Sequence, residues 1–191
     1  MDDVTGNDAE FPKESYALSF RDCYAELNGA DSFKHLQHNH SDAWSASISR
    51  SSGLFLEKAT VSFLNITHGT INGAPGSINR FEAIIYPANP KIPALFIMTD
   101  LTNVEDSGRY IILYTDLIIQ DGEPREAEKE LFSRAAESLC SKHGQNFGEL
   151  NAFIQGRGTF GGSAGACGLM GFFEEKDIPF IDDVMTMAVP T

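Results

Sequence analysis

The sequence predicts an α+β protein: one antiparallel β-sheet flanked by helices, formed by residues 12–191 behind a short leader. Three observations predict it. An apolar stripe at helical spacing lies near the start of the chain. The centre carries successive segments rich in β-branched and aromatic residues, separated by short turns. A second helical stretch follows, with its charges ordered along the axis. A length of 191 residues suits one domain, and 14 Phe supply apolar area to offset chain entropy.

Residues 1–11 are acidic and polar before any periodic segment and read as a frayed leader. They lack the positive start and apolar core of a secretory signal. From Pro12 onward, Tyr16, Phe20, Tyr24 and Leu27 recur at spacings of four and three. Pro12 suits a first helical turn and Asn28-Gly29 a left-handed stop. Residues 31–53 are polar and hold His35, His38, His40 and Trp44. The 35/38 spacing suits a helix face and the 38/40 spacing a strand. No single element aims all three histidines together, so the segment reads as a surface loop and not a ligand set.

Strands are expected over 54–68, 81–86, 94–101 and 109–119, with a turn-rich stretch at 72–77 and a hairpin turn at Asp106-Ser107-Gly108. Residues 123–143 form the clearest helix. Ala127, Leu131, Ala135 and Leu139 share one face, glutamates crowd the first turn, Lys142 and His143 the last, and Gly144 stops it. Residues 150–191 alternate glycine-rich turns with apolar runs. The seven glycines of 156–171 lack the lysine that closes a phosphate loop, so they read as glycine-kinked strands or a hairpin.

Composition excludes several function classes. The net charge is −13 and the Lys and Arg residues stand singly, which argues against nucleic acid. No run approaches the length of a membrane span. Cys23, Cys140 and Cys167 are widely spaced, odd in number and outside any zinc-type pairing, which suits a reducing, cytosol-like compartment. Two aspartates remain as candidates. Asp100 in MTDL and Asp116 in YTDL each sit within an apolar strand, where an ionised carboxylate is costly unless paired or facing a cavity. Alternation could instead turn either of them to water.

Five segments, in order, resemble the oxygen-dependent coproporphyrinogen oxidases. GLFLEKATVSFLNITHG resembles that family's Phe-Glu-Lys-Ala-Gly-Val segment through Glu57, Lys58, Ala59, Val61 and His68-Gly69. IIYPANPKIPALF resembles its His-Pro-x-Asn-Pro-x-Val-Pro stretch through Pro87, Asn89, Pro90, Ile92 and Pro93. YTDLII places Asp116 on the Asp of Gly-Gly-x-Asp-Leu-Thr-Pro. LNAFIQGRGTFGG resembles a late Arg-Gly-Thr strand, and VMTMAVP a closing Met-x-Met-Pro. Departures accompany the match: the family's histidines are replaced by Tyr86 and Phe96, its Asn-x-Arg by Met98-Thr99-Asp100, and much of the family's chain between Asp116 and Leu150 is missing. Neither Phe nor Asp can take over those roles, since Phe transfers no proton and Asp cannot clamp a propionate as Arg does. Bilin reductases share this architecture, and their central stretch also resembles FEAIIYP…PALFIMTDL.

The resemblance implies an α/β/α sandwich with a tetrapyrrole-sized cleft. It implies Asp116 and Asp100 at the ring nitrogens, with Lys58, Tyr86, Asn89, Phe96 and Arg157 contacting substrate. No tightly bound cofactor or metal is implied; molecular oxygen or an external electron donor, such as ferredoxin for bilin reduction, would serve. A homodimer in the cytoplasm, or in an organelle stroma or matrix after processing, completes the expectation. The expected activity is oxidation, decarboxylation or reduction of a porphyrin or bilin. The alternatives are a noncatalytic tetrapyrrole carrier, or a scaffold reused for protein contact with its cleft filled.

Overall fold

The computed structural model describes residues 11–28, 34–40, 44–105, 107–122, 126–155 and 167–188. Seven strands form one sheet in the order of the chain: β1 (Lys34–His40), β2 (Trp44–Ser51), β3 (Leu56–Ile71), β4 (Ala74–Pro87), β5 (Ala94–Val104), β6 (Gly108–Ile118) and β7 (Cys167–Phe173). Every neighbouring pair is antiparallel. Four helices accompany it: α1 (Glu14–Asn28), α2 (Glu126–Lys142), α3 (Phe147–Gln155) and α4 (Ile178–Met187). The α+β class with a single antiparallel sheet is thus as the sequence predicts. Among the described residues no helix is long and apolar enough to cross a membrane.

The segment read as a surface loop is instead a hairpin, β1–β2, added to the sheet. His35 pairs with Ser49 and His38 with Ala46, and their odd separation puts the two rings on opposite faces. Both side chains are exposed. The turn-rich stretch at 72–77 is mostly strand. β3 and β4 close on the two-residue turn Asn72-Gly73, whose φ values of 52° and 88° give the left-handed pair that matches strand twist. The late strand expected over LNAFIQ is α3, and the closing VMTM belongs to α4.

One face of the sheet carries Ala59, Val61, Phe81, Ala83, Ile85, Ile97, Leu113 and Leu169, all buried. α1 lays Tyr16, Phe20 and Tyr24 on it, with Phe20 tilted against Phe81 at 5.3 Å between ring centres. Phe11, expected in the leader, is buried at 3% exposure against Tyr16. α4 adds Phe180, Ile181, Val184 and Met185, and α2 adds Ala136 and Cys140. α2 is therefore rotated from its predicted face, and Leu131 stands 69% exposed.

Asn28 fixes the end of α1 to the β2–β3 turn. Its amide donates to Ser51 Oγ and the Leu56 carbonyl, while its Oδ1 accepts the Leu56 N–H at 3.0 Å. α3 lies along β7: Phe147 and Leu150 join the main core, Ile154 joins a second cluster on the opposite face, and Asn151 Oδ1 accepts the Gly168 N–H. α3 thereby covers the β7 edge of the sheet, and that opposite face holds the candidate site.

Candidate functional site

The register aligns one row of residues across all seven strands: Lys34, Arg50, Thr60, Ile84, Phe96, Asp116 and Gly168. The adjacent row toward the strand centres includes Glu82, Met98, Tyr114 and Met170, and the next Arg80, Asp100 and Ile112. Alternation places all of them on the face away from α1.

Asp116 has no exposed surface. Two residues back on the same strand, and hence on the same face, the Tyr114 hydroxyl donates to Asp116 Oδ2 at 3.3 Å. The other oxygen, Oδ1, has no hydrogen-bond partner among the described residues. Phe96, directly across the ladder, stands edge-on to Tyr114 at 5.0 Å between ring centres, and Ile154, Ile84, Met98 and Ile118 complete an apolar surround. Burial pushes the Asp116 carboxyl up to about 7, against the opposing pull of the Tyr114 hydroxyl and the Leu117 N–H. The Tyr114 phenol is raised in turn, by burial and by the carboxylate beside it. Near neutral pH Asp116 is therefore divided between its two protonation states and can give or take a proton at Oδ1.

Gly168 makes room for this arrangement. A Cβ there would lie 2.1 Å from the Thr115 carbonyl oxygen and 2.5 Å from Ile154 Cδ1.

Asp100 lies on the same face but four residues further along, ~13 Å at ordinary strand rise. It is 1% exposed and held from two points by Arg80, with Nε to Oδ1 and Nη2 to Oδ2 both at 2.7 Å. Burial raises the Asp100 acid while the guanidinium pulls against it; the two-point geometry is that of an ionised pair. Glu82 stands beside this pair, raised by desolvation with Arg80 opposing.

The remaining predicted residues are spread along one end of the sheet. Lys58 pairs with Tyr86 across β3–β4, its ammonium 6.0 Å from the ring centre. Asn89 is exposed in the β4–β5 turn, where its Oδ1 accepts the Lys91 N–H. Arg157, together with most of the glycine-rich run, falls outside the described residues. The fold brings Asp116 and Phe96 together and holds Lys58 and Tyr86 as a second pair. It does not bring Asp100 to Asp116.

Sequence reasoning missed Tyr114, Arg80 and Glu82. The signal for each was the period of two: Tyr114 precedes Asp116 by two in YTD, and Arg80-Phe-Glu82 alternates across the core residue Phe81.

Concavities among the described residues lie elsewhere, a small one of about 130 Å³ between α1 and α4 and two larger ones. One is apolar, about 350 Å³, between α2 and the β5–β6 ends; the other is polar, about 550 Å³, at the β3–β4 turn. No protein-family model matches this chain, and no curated protein matches it either.

Proposed function

We propose that the face around Asp116 binds a tetrapyrrole, and that the chain is a divergent, shortened member of the coproporphyrinogen oxidase-like group with its α/β/α sandwich. One observation carries the reading: a fully buried carboxyl, one of whose oxygens has no hydrogen-bond partner among the described residues, set among Phe96, Tyr114 and aliphatic side chains that push its pKa up by burial. A flat ring with pyrrole N–H donors meets those requirements. It would bury apolar area against the aromatic wall, and for its N–H groups to reach the carboxylate, which has no exposed surface, the side chains that cover Asp116 must move aside.

In this reading Asp116 holds the ring nitrogens and passes a proton at Oδ1, Tyr114 steadies the carboxylate, and Phe96 keeps water out. An oxidative or reductive step on the ring would draw on molecular oxygen or an external electron donor. The resemblance in the Asp116, Lys58 and Pro87–Pro93 segments supports the same class of ligand.

A second reading, a noncatalytic carrier, is favoured by a separate observation. Asp100 is held by Arg80, and Phe96 and Tyr86 stand where the resemblance expects histidines, so among the described residues Asp116 is the one carboxyl set in that apolar wall. Titrating the protein with coproporphyrin, heme and biliverdin tests both. An absorbance shift at micromolar concentration, weakened in Asp116→Asn, is the expected outcome; flat titrations with all three overturn the proposal. Conversion of bound ligand with oxygen or a reductant separates enzyme from carrier.

A further inference from the structure

One end of the sheet gathers exposed apolar side chains. The turn between β2 and β3 holds Leu54 at 89% exposure and Phe55 at 66%, side by side in a segment type where polar residues are the rule. The turn after β4 adds exposed Ile92, which also rims the apolar concavity whose other wall carries Leu131. Hydrogen bonds fix both turns. The Ala88 N–H donates to the Phe55 carbonyl at 2.9 Å, the Gln120 amide to the Ile92 carbonyl at 2.7 Å, and the Phe55 N–H to Asn28 Oδ1. The turns are thereby tied to each other, to the end of α1 and to the segment after β6, and a braced backbone holds the apolar pair out in water. Contiguous apolar exposure of this kind marks a contact surface.

Unpaired cations flank the same end. Among the described residues, eight of twelve Lys and Arg side chains stand within ion-pair distance of a carboxylate. The other four are Lys34, Arg50, Lys58 and Lys91, all exposed. Lys91 lies in the turn after β4, and the rest within two residues of a strand end on this side of the sheet. Lys34 pairs with Arg50 across β1–β2, and Arg50 and Lys58 share the face away from α1. Glu26, Glu57, Asp121 and Glu128 lie at this end too. In the register rows of Lys34, Arg50 and Lys58, however, Asp116 is the one carboxylate among the described residues, and it has no exposed surface. Charges are screened over about 8 Å at physiological salt, so a surface approaching this tip feels its local cations more than the remote carboxylates of a chain of net charge −13.

An apolar tip flanked by cations matches the lipid–water boundary, where apolar side chains enter the acyl layer and Lys and Arg meet anionic headgroups. We propose that this end of the sheet docks on an anionic bilayer, with Leu54 and Phe55 inserted and Arg50, Lys58 and Lys91 at the headgroups. Docking draws on both features together, since two side chains or a few exposed charges hold a protein on a membrane only weakly by themselves. The proposal is independent of the tetrapyrrole reading and uses the opposite quality of this surface: its exposure.

The test sediments the full chain with vesicles of phosphatidylcholine alone, and of phosphatidylcholine with about one-third phosphatidylserine, at low and high salt. Wild type should pellet with the anionic vesicles at low salt and stay in solution with neutral vesicles or at high salt. Leu54→Ser/Phe55→Ser should weaken partitioning at least about tenfold, and Arg50→Gln/Lys58→Gln/Lys91→Gln by a similar factor. Phe55→Trp, which keeps an aromatic ring at the boundary, should bind as well as wild type. All the substituted side chains are exposed, and circular dichroism checks that each variant is folded. Wild type that stays in the supernatant with every vesicle overturns the proposal, as do serine and glutamine variants that pellet as well as wild type. A wild-type dimer that Leu54→Ser/Phe55→Ser renders monomeric in light scattering, while neither binds vesicles, assigns the tip to a second copy and overturns it as well.

Discussion

Asp116 and Asp100 share one face of the β5–β6 pair, yet their surroundings are opposite. Asp100 has a guanidinium on both oxygens; Asp116 has one phenol, the Leu117 N–H and an apolar wall. A carboxyl raised to about 7 in the folded state holds its proton after the unfolded chain has released it at an ordinary value of 3.8. Folding stability therefore falls as pH rises from about 4 to about 7, then levels off. Urea unfolding across that range should show a decline of about 4 kcal/mol in wild type, and Asp116→Asn should remove it. Arg80 invites the converse experiment. Arg80→Gln leaves a buried acid without its partner and should cost about 3 kcal/mol, with Asp100→Asn in the same chain restoring most of the loss. A double-mutant cycle by denaturant unfolding measures it. At this scale the sequence was half legible. An Asp within an apolar strand flags a carboxyl that must be paired or protonated, but which of the two depends on the neighbouring strand, and register is not written locally.

At the scale of elements, glycine and aromatic contacts decide where the site sits. Gly168→Ala would push the Thr115 carbonyl and Ile154 apart, beside Asp116. A loss of about 2 kcal/mol in thermal unfolding is expected, from overpacking where β6, β7 and α3 meet. Phe20→Ala, which empties the contact between α1 and Phe81, should cost about 4 kcal/mol without changing the pH dependence that Asp116 confers. The helices α1 and α2 and the strands from β3 to β6 were legible because their periods are strong and long. β1 and β2 were not: KHLQHNH and WSASISRS are polar and bury little, so hydrophobic patterning hardly marks them. The 38/40 spacing of their histidines was the trace they left. α3 and α4 are short, and the glycine-rich run between them obscured their boundaries. Pro179 in the first turn and the apolar spacing of Phe180, Ile181, Val184 and Met185 were the available signals.

For the molecule as a whole, an order in which each strand neighbours its successor leaves β1, among the described residues, as the uncovered edge, since β7 is packed against α3. The charged and histidine-rich residues of β1 suit an edge that must not recruit another chain. Native-state hydrogen exchange should find β1 and β2 the least protected ladder and β5–β6 the most, because β5 and β6 carry most of the sheet's fully buried residues among those described. Equal protection across all seven strands would contradict this. One consequence concerns biosynthesis. Lys13 and Tyr16, at the start of α1, both bond to Asp182 in α4, across separations of 169 and 166 residues. Tyr16 leaves the ribosome 166 residues ahead of Asp182 and thus waits for this partner until α4 has been made. Nascent chains arrested before Ile178 should accordingly hold Tyr16 open to chemical labelling, and emergence of α4 should close it.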